Sequence, residues 1–124
     1  MKQDSKLDLT YLKSISGGDD LFIIQMLDMF LISIPDEAQK LVTFFNQQDY
    51  LMMGKSAHKM KASVQMIGEQ ALAVLVIKIE QTVKTGVGID DLGDAIAELK
   101  VYLEDVILKI EAAKRELMAQ KSPK

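Results

Sequence analysis

The chain contains no cysteine, a single histidine, and only two prolines and seven glycines in 124 residues. Without cysteine there are no disulfides, thiolate metal sites or cysteine nucleophiles. That composition suits a reducing compartment, and the cytoplasm is the expected location. One histidine with no carboxylate at helical spacing leaves too few ligands for zinc, so no metal of its own is expected. There is no phosphate-cradling loop either: Gly86-Val87-Gly88 lacks the following glycine and the preceding strand such a loop requires. Autonomous kinase activity is therefore not expected. The N-terminal residues lack the apolar run of a signal peptide, and no stretch approaches the ~20 uncharged residues of a membrane span. The longest apolar run, Met26 to Ile34, is interrupted by Asp28 and Ser33. A basic excess is missing too: the net charge is −3, which disfavours non-specific nucleic-acid binding.

The remainder is the composition of a folded domain, with 48% hydrophobic and 27% charged residues and a length that one core can serve. Apolar spacing and capping signals predict five helices and no strand. A short first helix runs from Leu9 to Ser16, with Asp8 as N-cap and Gly17-Gly18 as its stop. Asp19 or Asp20 caps the second, whose stripe is Phe22, Met26, Leu27, Phe30 and Ile34. Pro35 is expected to kink or restart this helix, because it lacks the amide hydrogen and clashes backward. The apolar face then continues through Ala38, Leu41, Val42 and Phe45, until Asn46-Gln47-Gln48-Asp49 offers the next cap. The third helix, about Tyr50 to Ile67, has the seam Met53, Ala57, Met60, Val64 and Ile67. The fourth, about Gln70 to Lys84, carries Leu72, Leu75, Ile79 and Val83. In the fifth, Leu92, Ile96, Leu99, Leu103, Val106, Ile110, Ala113 and Leu117 repeat at spacings of four and three. Short connections between one-striped helices predict an all-α, antiparallel four-helix bundle capped at one end by the additional first helix. The bundle domain is expected over residues 8–118, with a flexible N-terminus at 1–7 and a flexible tail at 119–124. One stripe per helix leaves no second seam, so a monomer is expected.

His58 lies about 140° around its helix from the centre of the seam, so its ring should face water. Gly54, Lys55, Lys61, Ala62 and Gln65 share its side at helical spacing. Between Tyr50 and Gly68 there are lysines at 55, 59 and 61 and no acid. An exposed histidine on a lysine-rich helix is most simply a solvated residue. Imidazole is nevertheless nucleophilic when neutral, and a basic surround suits a phosphoryl group carried on it. Lys61 could meet phosphoryl oxygens as a point charge, and Gln65 could donate an amide hydrogen to the ring or the oxygens. Gly54 and Ala62 would leave room for an incoming surface. Ser63 faces away and reads as bundle edge, and Met53 and Met60 read as core. Met52 and Met66 point off the seam and, with Tyr50 and Leu51, could supply apolar contacts to a partner. Lys114 to Lys124 read as a solvated helix end with a frayed tail.

The segment AHKMKASVQMIG, from Ala57 to Gly68, resembles the signature of histidine-containing phosphotransfer (HPt) domains of multistep two-component phosphorelays. The matching residues are His58, Lys61, Ser63 and Gly68, with Ala62 where the family usually has glycine. The stretch from Leu9 to Pro35 is similar to the family's opening helices, and Glu80 sits where the family often has an acid. The resemblance spans roughly residues 7 to 85. It implies that His58 accepts a phosphoryl group, assisted by Lys61 and Gln65, and exchanges it with an aspartate of a response-regulator receiver domain, with a hybrid histidine kinase as a further candidate partner. Gly54, Lys55, Lys59, Ala62 and Met66 would then belong to the partner-binding surface. No cofactor is implied on this chain, and the Mg²⁺ of such a transfer would belong to the receiver. Two other readings stay open: a receiver-binding adaptor that relays nothing, motivated by Ala62, and the phosphoacceptor piece of a larger histidine kinase.

Overall fold

The computed structural model describes residues 7–121. Helices α1 (Thr10–Ser16), α2 (Asp20–Asn46), α3 (Tyr50–Met66), α4 (Gln70–Thr85) and α5 (Leu92–Lys121) follow in order, with a 3₁₀ turn at Ile89–Asp91 before α5. No strand occurs among the described residues. In the four-helix bundle α3 packs between α2 and α4, and α5 closes the ring against both. Helix α1 lies on α2 and inserts Leu12, which is fully buried.

Carboxylates at the helix starts account for several boundaries, since each supplies an acceptor to amides that have no partner within the helix. Asp19 accepts from the amides of Leu21 and Phe22, and Asp49 from that of Met52. Asp8 accepts from the amide of Thr10 at 3.0 Å, so α1 begins at Thr10 rather than at Leu9. The expected restart at Pro35 does not occur: α2 runs unbroken through the proline. One lost amide hydrogen bond is outweighed by burial on both sides of it, with Phe30 and Ile34 before and Ala38 and Leu41 after, all in the core. The stripe of α2 is also turned slightly from expectation. Ile23 is fully buried, whereas Phe22 and Met26 are half-buried against the core.

The seam of α3 is buried at every expected position, from Met53 to Ile67. In α5, Leu92, Ile96, Leu99, Val106, Ile110 and Leu117 are buried, while Leu103 and Ala113 pack at the core's edge. Two departures concern the ends. Leu7 joins the core instead of a free N-terminus, because it is apolar and adjoins α1. Helix α5 continues to Lys121, so only the end of the expected tail, along with residues 1–6, lies outside the described residues. Lys114 is not simply solvated, since it pairs with Asp28 of α2. A second cross-link ties α5 to the start of α4: Lys109, mostly buried, contacts Glu69 at 3.1 Å and Asp105 at 3.2 Å. Burial alone would push the Lys109 ammonium down, but these two carboxylates outweigh it and hold it above its ordinary value.

The turn from α3 into α4 depends on Gly68. Its φ is +70°, and a Cβ there would sit 2.5 Å from Asp8 Cβ and 2.6 Å from Asp8 O. The turn is thus pressed against the segment that leads into α1. Gly86, with φ +76°, ends α4 in open space. Gly68→Ala should therefore cost about 3 kcal/mol, from backbone strain plus collision, while Gly86→Ala should cost only about 1 kcal/mol from strain. Urea unfolding of the two variants measures the difference, and equal costs would mean that the contact with Asp8 contributes nothing.

Candidate functional site

His58 stands on the outer face of α3 with 66% of its side chain exposed, on the side expected from the seam. Beneath it lies Glu80 of α4, whose side chain is 5% exposed. Glu80 Oε2 is 2.9 Å from His58 Nδ1, Glu80 Oε1 accepts from Lys61 Nζ at 3.0 Å, and Lys84 Nζ lies 3.3 Å from Oε2. Burial pushes the Glu80 carboxyl up, but hydrogen bonds from Lys61, His58 and Lys84 outweigh it and bring it down to about 2. At neutral pH Glu80 is therefore ionised and can only accept. It follows that Nδ1 carries the hydrogen and that, in the neutral ring, the lone pair is on Nε2, at the edge turned from Glu80.

Beside the ring, between α3 and α4, a cleft of about 760 Å³ opens toward the C-terminal end of α4. Its apolar surface comes from Tyr50, Leu51, Gly54 and Val83, and lysines 55, 59 and 84 stand around it. Lys55 and Lys59 are exposed and form no ion pair with an acid among the described residues. No buried side-chain nitrogen or oxygen among the described residues lacks a partner, and no cluster of acids and histidine there could hold a metal ion.

The expected site residues are only partly brought together. Lys61 is beside His58, but its ammonium is held by Glu80 rather than standing free. Gln65 is exposed two turns along α3 and makes no side-chain hydrogen bond among the described residues. Ala62 is exposed, with its methyl on the surface. Gly54 is buried, because α4 approaches there: an added Cβ would lie 3.1 Å from Val83 Cγ2. Met66 is half-buried against the core, Ser63 is half-buried, and Met52 is exposed outside the cleft. The contact that sequence spacing missed is Glu80 with His58. A register argument could have found it, since both residues lie eleven positions from Glu69, at the turn between the two helices.

Because the folded pKa of Glu80 lies below the ordinary 4.5, the folded state binds fewer protons than the unfolded one. The resulting stabilisation is complete above about pH 4.5 and lost as pH falls toward 2. Relative to Glu80→Gln, the native chain should lose about 2 kcal/mol more between pH 6 and pH 2, discounted because His58 and Lys84 are exposed. Denaturant titrations at both pH values check this, and parallel pH profiles would refute it.

A family model described as "Hpt domain" matches residues 25–113. Among solved structures, the HPT domain from the Hpt sensor hybrid histidine kinase of Shewanella is similar, with 26% identity and a TM-score of 0.67. The match covers 94% of this chain and 97% of that one. Among curated proteins, none matches the chain. No helix among the described residues is long and apolar enough to cross a membrane. With the family model spanning most of the chain and the helical bundle reproduced in the solved domain, the chain belongs to the Hpt family of phosphotransfer domains in two-component signalling.

Proposed function

We propose that this chain is a phosphorelay carrier that accepts a phosphoryl group on Nε2 of His58 and exchanges it with an aspartate of a response-regulator receiver domain. The observation that carries the reading is the hydrogen bond from His58 Nδ1 to buried, ionised Glu80, which leaves Nε2 as an exposed nucleophile in a surround of lysines. The neutral ring attacks phosphorus through the Nε2 lone pair as the bond to the aspartyl oxygen breaks, and the aspartate leaves as a carboxylate. No proton has to be removed: the Nδ1 hydrogen stays in place, and the positive charge that develops on the ring faces Glu80. Return of the phosphoryl group reverses the same step.

Lys61 is placed to share its ammonium between Glu80 and the phosphoryl oxygens, and the local excess of lysines favours that dianionic group. The receiver would bring the Mg²⁺ that stabilises the transferring group. The chain supplies nucleophile, orientation and charge, in keeping with a family of phosphocarriers rather than kinases. The cleft beside His58, with its apolar surface and with Lys55 and Lys59 unpaired among the described residues, would form part of the receiver contact. Gln65 and Met66 have no support beyond their position.

Incubation with phosphorylated receiver domains should place acid-labile, alkali-stable label on the native chain and none on His58→Gln. Receivers that bind without transferring label would instead favour an adaptor. Glu80→Ala should fold and bind receivers but accept label roughly tenfold more slowly, the loss of one charge-assisted hydrogen bond. Stopped-flow or quench measurements give that rate, and an unchanged rate would remove Glu80 from the mechanism.

A further inference from the structure

Glu80 offers two oxygens to three donors, and the sharing is uneven. Lys61 has Oε1 to itself at 3.0 Å, whereas Oε2 serves both His58 Nδ1 at 2.9 Å and Lys84 Nζ at 3.3 Å. A cation on the same oxygen draws electron density from the first hydrogen bond and opposes positive charge on the ring. Lys84 lies one turn beyond Glu80 in the last turn of α4, and 66% of its side chain is exposed, against 25% for Lys61. It can therefore be drawn away without disturbing the core. Among the described residues, no other carboxylate lines the cleft beside His58. The remaining ionisable groups around the ring are Lys55, Lys59 and Lys61 of α3 and the Tyr50 phenol. On the side of α3 that packs on α2, Glu37 is already engaged by Ser56 at 3.1 Å and faces Lys40.

We propose that Lys84 is a positioning residue that, by sharing Glu80 Oε2 with His58, limits the charge lent to the ring and keeps phospho-His58 a transferable intermediate rather than a stable one. The inference rests on the phosphoacceptor role of His58. In the transfer described above, the phosphorylated ring keeps its Nδ1 hydrogen and carries positive charge, so whatever strengthens its pairing with Glu80 stabilises the phosphorylated form. Lys84 weakens that pairing. Its place beside the cleft exposes it to the acidic groups of a docked receiver, and withdrawing it would leave Oε2 to the ring alone. Docking and the stability of phospho-His58 are thereby coupled through one side chain.

The test compares Lys84→Gln, Lys84→Arg and Lys59→Gln with the native chain, using two readouts: the ¹⁵N resonances of the His58 ring, and the equilibrium of phosphoryl exchange with a receiver. Lys84→Gln should move the Nδ1 resonance downfield, as for a stronger donor. It should also shift the exchange equilibrium about threefold toward phospho-His58, the size of an exposed ion pair's contribution. Lys84→Arg, which keeps the cation, should stay near the native values. Lys59→Gln removes a nearby charge that does not touch Glu80 and should leave the Nδ1 resonance near its native position; as a receiver contact it is compared by that resonance alone. Unchanged resonances in Lys84→Gln would overturn the proposal. So would equal resonance changes in Lys84→Gln and Lys59→Gln, because the effect would then be general charge and not a shared oxygen. Urea midpoints close to native for all three exposed-residue variants would exclude unfolding as the cause. Should no receiver exchange phosphoryl groups at all, the function proposed above fails, while the ring resonances still decide whether Lys84 governs the contact.

Discussion

A carboxylate with 5% of its side chain exposed must have its charge met, and in Glu80 it is met by donors from two helices. Burial alone would drive the carboxyl toward its neutral form, in which it would no longer be acceptor-only and could not fix the His58 tautomer. His58 and Lys61 come from α3 and Lys84 from α4, so the site exists only while these helices hold their register. Two backbone features secure that register. Gly54 lets Val83 approach α3 closely, and Gly68 lets the intervening turn lie against Asp8. The glycine ten residues beyond the histidine, which reads as part of a signature, is explained by this contact together with its positive φ.

The charge arrangement separates two demands on one ring. Nδ1 faces a buried anion, which orients the imidazole and can balance positive charge on it. Nε2 faces solvent amid lysines, where a phosphoryl group would meet no carboxylate. Placing the acid under the ring, on the neighbouring helix, is what prevents Glu80 from repelling such a group. The surface around the ring is also asymmetric. Toward the N-terminal end of α3 it falls into the cleft of Tyr50, Leu51 and Val83, and toward the other end it carries exposed Ala62 and Gln65.

Much of this was legible from periodicity. The seams of α3 and α5 are strong because apolar residues recur without interruption, and such a pattern has one buried solution. The outward direction of His58 followed from the same seam. What periodicity could not resolve was competition between local and tertiary terms. At Pro35 a local rule suggests a break, but the core contacts of Phe30, Ile34, Ala38 and Leu41 lie on both sides and carry the helix across. In α2 generally, apolar residues are so dense that several stripes fit, and tertiary packing chose Ile23 over Phe22 and Met26. Ion pairs such as Lys114 with Asp28 join residues far apart in the chain, and helical spacing does not bear on them.

The partner of His58 was missed for a related reason, although it was within reach of the sequence. Searching along α3 finds no acid, because the relevant neighbour is on the next helix. In an antiparallel pair joined by a tight turn, a residue a given distance before the turn lies beside one at about the same distance after it. With Gly68 as the only positive-φ residue between α3 and α4, the centre falls at Gly68 and Glu69. His58 then faces the region of Glu80, and Gly54 faces that of Val83 and Lys84, which are the contacts observed. The same construction leaves Gln65 opposite the beginning of α4, far from the ring. Seam and turn together thus define which acid reaches the histidine, and neither does so alone.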